Sequence, residues 1–121
     1  VSWIKKQPFY ENTTIVISGD HPTMDSNYMR GTPLGYQRRV YTAVINPAVE
    51  YTLDYDRSYT TMDMYPTTLA SLGAVIEGDR LGLGTNLFSS TPTLLEQMGL
   101  KKLNAQLKQN SRYYNEKLLY K

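Results

Sequence analysis

Two short apolar runs limit the fold of this chain more than any other feature of its sequence. Residues 13–18 read Thr-Thr-Ile-Val-Ile-Ser and residues 40–45 read Val-Tyr-Thr-Ala-Val-Ile, and neither run alternates between apolar and polar positions. Such runs are typical of strands that are buried on both faces of an α/β protein. Asp20 and His21 follow the first run after a glycine, and Pro47, which cannot donate to a ladder, follows the second. We therefore predict two neighbouring strands.

The segments between the regular elements read as loops. Residues 23–37 contain Gly, Pro, Ser and Asn without an apolar period, which predicts a loop folded over the carboxyl end of the first strand. Residues 50–59 mix acidic residues with tyrosines and are ambiguous between an edge strand and a connection. Residues 78–84 are rich in glycine but neither follow a strand nor open a helix, so a surface turn is favoured over a phosphate-binding loop.

Residues 61–72 are predicted to form a helix. Thr61 or Asp63 is placed to cap it, and Pro66 falls in the first turn, where its missing N–H costs little. Gly73 is expected to end this helix. The apolar face predicted to be buried consists of Met62, Tyr65, Leu69 and Leu72.

A second helical region is predicted to begin at Thr91 and Pro92. Its first helix is expected to stop at Gly99, after which leucines at helical spacing continue the pattern. A final turn or two is predicted within residues 113–120. The apolar positions of this region are Leu94, Leu95, Met98, Leu100, Leu103 and Leu107.

The composition excludes several classes of function. A chain of 121 residues forms one domain at most, and its opening without an initiator methionine indicates an excised portion of a larger domain. The net charge of +2 comes from scattered basic groups, so nucleic acid is not an expected partner. No apolar run reaches the length of a membrane span, so the piece itself is expected to be soluble. The absence of cysteine excludes disulfides, thiolate metal sites and cysteine nucleophiles.

Asp20 and His21 are the strongest candidates for a functional site. Ligands of open α/β sheets bind beyond the carboxyl ends of strands, and a carboxylate oxygen with an imidazole nitrogen suits zinc or manganese. Gly19 would let the backbone bend so that both side chains face one point. In the alternative interpretation, Asp20 bonds to nearby backbone N–H groups and His21 is an ordinary loop residue. No spacing selects a further ligand among Asp25, Asp54, Asp56, Asp63 and Asp79.

Other kinds of site find little support. Ser18 lacks the flanking pattern of a nucleophile elbow, so no serine, histidine and carboxylate set can be recognised. The eleven tyrosines could offer sugar-stacking surfaces. Tyr41 in a predicted strand and Tyr65 on a predicted apolar helix face indicate instead that most of them pack in a core or an interface.

The order of these motifs resembles the sulfatase-like branch of the alkaline phosphatase superfamily. The motifs are an apolar strand, Gly19-Asp20-His21, an irregular loop, a second strand, and a helix that begins within an Asp-x-x-Pro-Thr segment at Asp63. Residues 80–89, the leucine-rich helix and Tyr113-Tyr114-Asn115 are similar to the C-terminal end of phosphoglycerol transferases related to lipoteichoic acid synthase. The resemblance spans residues 12–120.

The resemblance implies both a fold and a chemistry. The chain (1–121) would be the C-terminal portion of a sulfatase-like catalytic domain, an alkaline-phosphatase-like α/β/α sandwich. Asp20 and His21 would bind one divalent metal ion, manganese by preference, with magnesium, zinc or calcium as alternatives. A threonine nucleophile and another acidic ligand, both N-terminal to Val1, would complete the centre. No catalytic residue would lie in this portion, which alone would be inactive.

The resemblance also implies substrates and a location. The parent would be anchored in the cell membrane by a region N-terminal to this chain, with an extracellular catalytic domain. Its threonine would take glycerophosphate from phosphatidylglycerol, release diacylglycerol and pass the group to a glycan or polymer of the cell envelope. The alternatives are a sulfatase or a phosphoethanolamine transferase of the same superfamily, or a binding module without catalysis that contacts glycan or protein.

Overall fold

The computed structural model describes residues 1–33, 35–36, 38–51, 54 and 56–119. Within these ranges the chain mixes helices with two small sheets, which agrees with the α/β class predicted from the sequence. The strands are β1 (Ile15–Ser18), β2 (Thr42–Ile45), β3 (Arg80–Leu81) and β4 (Gly84–Thr85). The α-helices are α1 (Ser26–Met29), α2 (Met64–Ser71), α3 (Leu94–Met98), α4 (Leu100–Leu107) and α5 (Arg112–Tyr114). Single 3-10 turns lie at Ile4–Lys6, Tyr10–Asn12, Thr61–Asp63 and Glu77–Asp79, and a π-helical turn at Asn115–Leu119.

Strands β1 and β2 form an antiparallel pair and confirm the two predicted strands, each two residues shorter than its apolar run. Ile15 lies opposite Ile45 and Ser18 opposite Thr42, so the end of β1 adjoins the start of β2. The prediction that these strands are buried on both faces is wrong for the described chain, since Ile17 is 39% exposed. The reason is that, among the described elements, β1 and β2 pack mainly on each other.

A polar junction fastens this sheet to α2. Thr14 Oγ1 donates to the carbonyl of Asn46 at 3.0 Å and lies 3.2 Å from the carbonyl of Ser71. The Ala48 N–H donates to the same Ser71 carbonyl at 2.7 Å. Asn46 adopts φ 56°, a left-handed conformation that asparagine tolerates better than most residues. The C-terminal end of α2 is thereby fixed beside the end of β2.

The helix predicted over 61–72 forms, but its buried face is not the predicted one. Tyr65 and Leu72 are 63% and 61% exposed, and Tyr41, also expected to pack, is 71% exposed. The helix rests closely on the backbone of β4, and only small or compact side chains fit such a contact. Gly73 ends the helix as predicted, at φ 87°. The buried residues of α2 are Met64, Pro66, Thr67, Ala70 and Ser71.

Asp63 joins the start of this helix to β4. Its Oδ2 accepts from the N–H of Thr60 at 2.8 Å, so Thr60 caps the 3-10 turn that precedes α2. Of the two predicted caps, Asp63 stands at the N-cap position of α2, without a side-chain bond to that helix, and Thr61 does not. Asp63 Oδ1 accepts from the N–H of Thr85 at 2.8 Å. Thr67 Oγ1 donates to the Asp63 carbonyl at 2.6 Å and accepts from the N–H of Leu87 at 3.0 Å. The glycine-rich segment forms the β3–β4 hairpin, which confirms the predicted surface turn.

The later helices follow their predicted stop signals. Thr93 caps α3 two residues beyond the predicted start, and its reciprocal partner is Glu96. Gly99, at φ 73°, separates α3 from α4. Leu103 is 3% exposed, whereas Leu100 and Leu107 are 63% and 48% exposed, so only one of these three leucines is buried. Within the described ranges, no helix combines the length and apolar character needed to cross a membrane.

The packing of α2 on β4 predicts that Gly84→Ala destabilises the fold. A Cβ at Gly84 would collide with the backbone of Met62 and lie 2.9 Å from Pro66 Cδ. Because backbone atoms cannot move aside cheaply, we expect the free energy of unfolding to fall by about 1–3 kcal/mol. Urea denaturation measures the change. Gly31→Ala is the matched control, since a Cβ there meets nothing within 4 Å, and its change should stay within about 0.5 kcal/mol. Equal effects of the two substitutions would contradict the prediction.

Candidate metal site and its surroundings

Asp20 and His21 lie directly beyond β1, and their side chains face each other. His21 Nε2 and Asp20 Oδ2 are 3.6 Å apart, and the two side chains are 59% and 88% exposed respectively. Asp20 Oδ1 accepts from the backbone N–H of His21 at 2.8 Å. The bond from Asp20 to the backbone is the one expected if the pair belongs to an ordinary loop. The approach of the two side chains is what a shared metal ion would require.

The geometry of this pair fits two ligands of one ion. Ligand atoms at about 2.0–2.2 Å from a shared ion lie roughly 3.0–3.5 Å from each other, so a small side-chain rotation would bring this pair into range. His21 Nδ1 lies 2.9 Å from the carbonyl of Pro22, which can only accept. A hydrogen bond to this carbonyl requires the proton on Nδ1, an arrangement in which a metal would be bound through Nε2, the nitrogen that faces Asp20.

Two ligands are all that the described chain brings to this point. In the part of the chain that the structure describes, no group of three or more His, Cys, Asp or Glu residues could hold a metal ion. Several other acids have local structural roles: Asp25 caps α1, Asp54 accepts from the Asp56 N–H, and Asp79 accepts from Thr91 Oγ1. Asp63 is committed to the contact between α2 and β4. Any further ligand has to come from outside these residues.

A partly buried ion pair that the sequence did not indicate joins the segment before the Thr61–Asp63 turn to α3. The side chain of Arg57 is only 11% exposed, and its Nη2 lies 3.1 Å from Glu96 Oε2. Arg57 Nε also donates to Glu96 Oε1 at 3.3 Å, which makes the contact bidentate. The same guanidinium donates to the carbonyls of Ser89 at 2.6 Å and Thr91 at 2.7 Å. The partners are 39 residues apart, so no local spacing could reveal them.

Glu96 is held in its charged form. Hydrogen bonding from Arg57 lowers its pKa to about 2, helped by the backbone N–H groups of Thr93 and Ser58, although desolvation acts in the opposite direction. These N–H groups lie 2.7 and 3.0 Å from the carboxylate oxygens. With its carboxylate fully used in this way, Glu96 has a structural role.

Two open cavities flank these groups. The larger, about 850 Å³, lies beside Arg57 and Glu96 and includes Tyr51 and Phe88, whose rings meet edge to face at 5.4 Å. The smaller, about 400 Å³, begins at Pro22, directly after the Asp20 and His21 pair. We call this smaller one the basic cavity. Its lining residues include Thr23, Tyr28, Thr32, Tyr36, Arg38 and Arg39.

The Arg57–Glu96 pair predicts an acid-sensitive contribution to stability. Because the folded pKa of Glu96 lies below the ordinary 4.5, the pair stabilises the fold above that pH, and the contribution is lost as pH falls from about 4.5 towards about 2. Glu96→Gln should lower the free energy of unfolding by about 1 kcal/mol at neutral pH, because the carboxylate is partly exposed and water screens its pairing with Arg57. Its difference from the wild type should shrink across that acidic window in urea denaturation.

Glu116→Gln is the matched control for this experiment. Glu116 also pairs with an arginine, at 2.7 Å, but Arg112 and Glu116 are 88% and 54% exposed. Such surface pairs contribute little, so the control should change stability by less than about 0.5 kcal/mol. A Glu96→Gln effect that is constant from neutral pH down to pH 2 would contradict the assignment to the charged carboxylate.

Comparison with known proteins adds no further identification. No family model matches the chain, and no curated protein or solved structure matches it. The resemblance to sulfatase-like phosphoglycerol transferases therefore rests on the motifs at Asp20, His21 and Asp63 and on the C-terminal residues that accompany them.

Proposed function

We propose that this chain is the C-terminal portion of the catalytic domain of a metal-dependent phosphoglycerol transferase. The observation that carries the proposal is the convergence of Asp20 and His21 at the end of β1, with Nε2 and Oδ2 3.6 Å apart. In this proposal the pair supplies two ligands of a divalent ion, manganese by preference. The ion, when bound, would offset negative charge on the phosphoryl oxygens of the donor.

The chain's own residues would orient that half of the centre. The Pro22 carbonyl holds the His21 ring through Nδ1, and the backbone N–H of His21 holds Asp20 through Oδ1. Each side chain therefore presents its other polar atom to the shared point. A threonine nucleophile outside these residues would form the covalent glycerophosphoryl intermediate and pass the group to a glycan or polymer of the cell envelope.

The exposure of the β1–β2 sheet supports the proposal that this chain is part of a larger domain. The β1–β2 pair carries Ile17 at 39% exposure and has no third strand among the described residues. In an α/β/α sandwich both faces of such strands are covered by helices and their edges are paired. We propose that the remainder of an alkaline-phosphatase-like domain provides this cover, outside the cell and anchored to its membrane.

The proposal predicts that Asp20→Asn and His21→Gln each abolish metal-dependent transfer. In the intact protein, release of glycerophosphate from phosphatidylglycerol to an envelope acceptor should fall by about 100-fold or more, because losing a ligand costs at least as much as losing a residue that orients one. The stabilisation of the protein by manganese in thermal unfolding should be lost in parallel. Asp56→Asn is the control, since Asp56 is an exposed carboxylate that is not adjacent to β1 in the sequence.

Three outcomes would contradict this proposal in different ways. Unchanged manganese stabilisation in both variants would remove Asp20 and His21 from the metal site. Metal-dependent release of sulfate, or transfer of phosphoethanolamine, would support the metal site but would show that the donor substrate is not phosphatidylglycerol. Binding of glycan without any transfer, unaffected by either substitution, would favour a binding module.

A further inference from the structure

We propose that the basic cavity binds the phosphate group of a phosphate ester, through Arg38 and Arg39, next to the Asp20 and His21 pair. The cavity is formed by the loop that connects β1 to β2 and has a volume of about 400 Å³. That volume lies within the range of small-molecule sites and exceeds the needs of a phosphate with a short polyol. This binding function does not require the metal site to be active.

The charge of the cavity selects an anion. Arg38 and Arg39 line it, and no aspartate or glutamate does. The ion pairs in the described part of the chain are His21 with Asp20, Arg57 with Glu96 and Arg112 with Glu116, so no carboxylate of the described residues pairs with either cavity arginine. The nearest acid in the loop sequence, Asp25, is already bonded to the backbone N–H groups of Asn27 and Tyr28.

One of the two guanidinium groups is held in place before any ligand binds. Arg38 Nη1 donates to the carbonyl of Thr23 at 2.8 Å, which ties the end of the loop back to its beginning. A guanidinium has five N–H donors in a planar fork, so one bond to a carbonyl leaves donors for two phosphate oxygens. Preorganisation of this kind lowers the entropy cost of binding.

The rest of the wall suits the organic part of an ester. Tyr28 and Tyr36 are 74% and 65% exposed, and Thr23 and Thr32 bring hydroxyls to the same cavity. Aromatic faces beside hydroxyl groups match a short polyol, which carries C–H groups and alcohols together. Glycerol 3-phosphate has this chemistry, and its choice as a probe rests on the proposed function.

The test compares Arg39→Gln with Arg30→Gln in the intact protein. Arg39 lines the cavity without taking the structural bond that Arg38 makes, whereas Arg30 is an exposed arginine of the same loop that does not line it. Binding of inorganic phosphate and of glycerol 3-phosphate is measured by calorimetry with a chelator present, at fixed ionic strength. We expect Arg39→Gln to weaken glycerol 3-phosphate binding about tenfold, and Arg30→Gln to change it less than about twofold.

Vesicles of phosphatidylglycerol and of phosphatidylcholine distinguish the source of the phosphate. Binding to phosphatidylglycerol vesicles that depends on Arg39 but not on Arg30 supports the proposal with a lipid headgroup as ligand. Arg39-dependent binding of the soluble ester alone supports it with a soluble or polymeric ester. Equal losses in both variants would show a diffuse charge effect, and unchanged binding in Arg39→Gln would show no role for the cavity, so either result overturns the proposal.

This experiment separates the cavity from the metal site. The chelator removes any contribution of a metal, so phosphate binding that depends on Arg39 stands even if His21→Gln leaves transferase activity intact. The converse result is activity that depends on His21 with phosphate binding that does not depend on Arg39. That result would overturn the proposed phosphate site and leave the proposed metal site standing. Circular dichroism of both arginine variants checks that each remains folded.

Discussion

The burial of the Arg57 guanidinium is the constraint on which the second half of the structure depends. A cation that is 11% exposed has lost most of its hydration, and the loss is offset only because Glu96 and the carbonyls of Ser89 and Thr91 surround it. Those partners come from a loop, a turn and the first turn of α3. Thr93 Oγ1 adds a bond to the Ser58 carbonyl at 2.6 Å, so three segments are fixed by one polar cluster.

Hydrogen bonds likewise offset the burial of the Asp63 carboxylate, and the buried residues of the described chain are rich in polar groups. The buried polar residues of the described chain include Thr67 and Thr85 beside Asp63, while its buried apolar side chains are Met64, Pro66, Ala70 and Leu103. Hydrogen bonds are directional, so such a polar core holds its segments in one arrangement. It buries less apolar surface than an ordinary core does, so directional polar contacts carry a larger share of the stability.

Features that depend on residues close together in the sequence could be predicted, whereas contacts between distant residues could not. The strands, the stops at Gly73 and Gly99 and the adjacency of Asp20 to His21 depend on neighbouring residues, and the structure contains all of them. The buried face of α2 was predicted wrongly because close approach to β4 selects small side chains, a tertiary effect that apolar periodicity does not carry. The Arg57–Glu96 pair joins residues 39 positions apart and was invisible for the same reason.

The two arginine environments show how one side chain serves opposite purposes. Arg57 meets a carboxylate and two carbonyls, so its donors are consumed and the cavity beside it gains no cation for a ligand. Among the described residues, Arg38 donates to a single carbonyl and to no carboxylate, so most of its donors remain available for the anion proposed in the basic cavity. Both proposed sites, the Asp20 and His21 pair for a cation and the basic cavity for an anion, belong to the segment after β1, whereas the Arg57 cluster holds segments of the chain together.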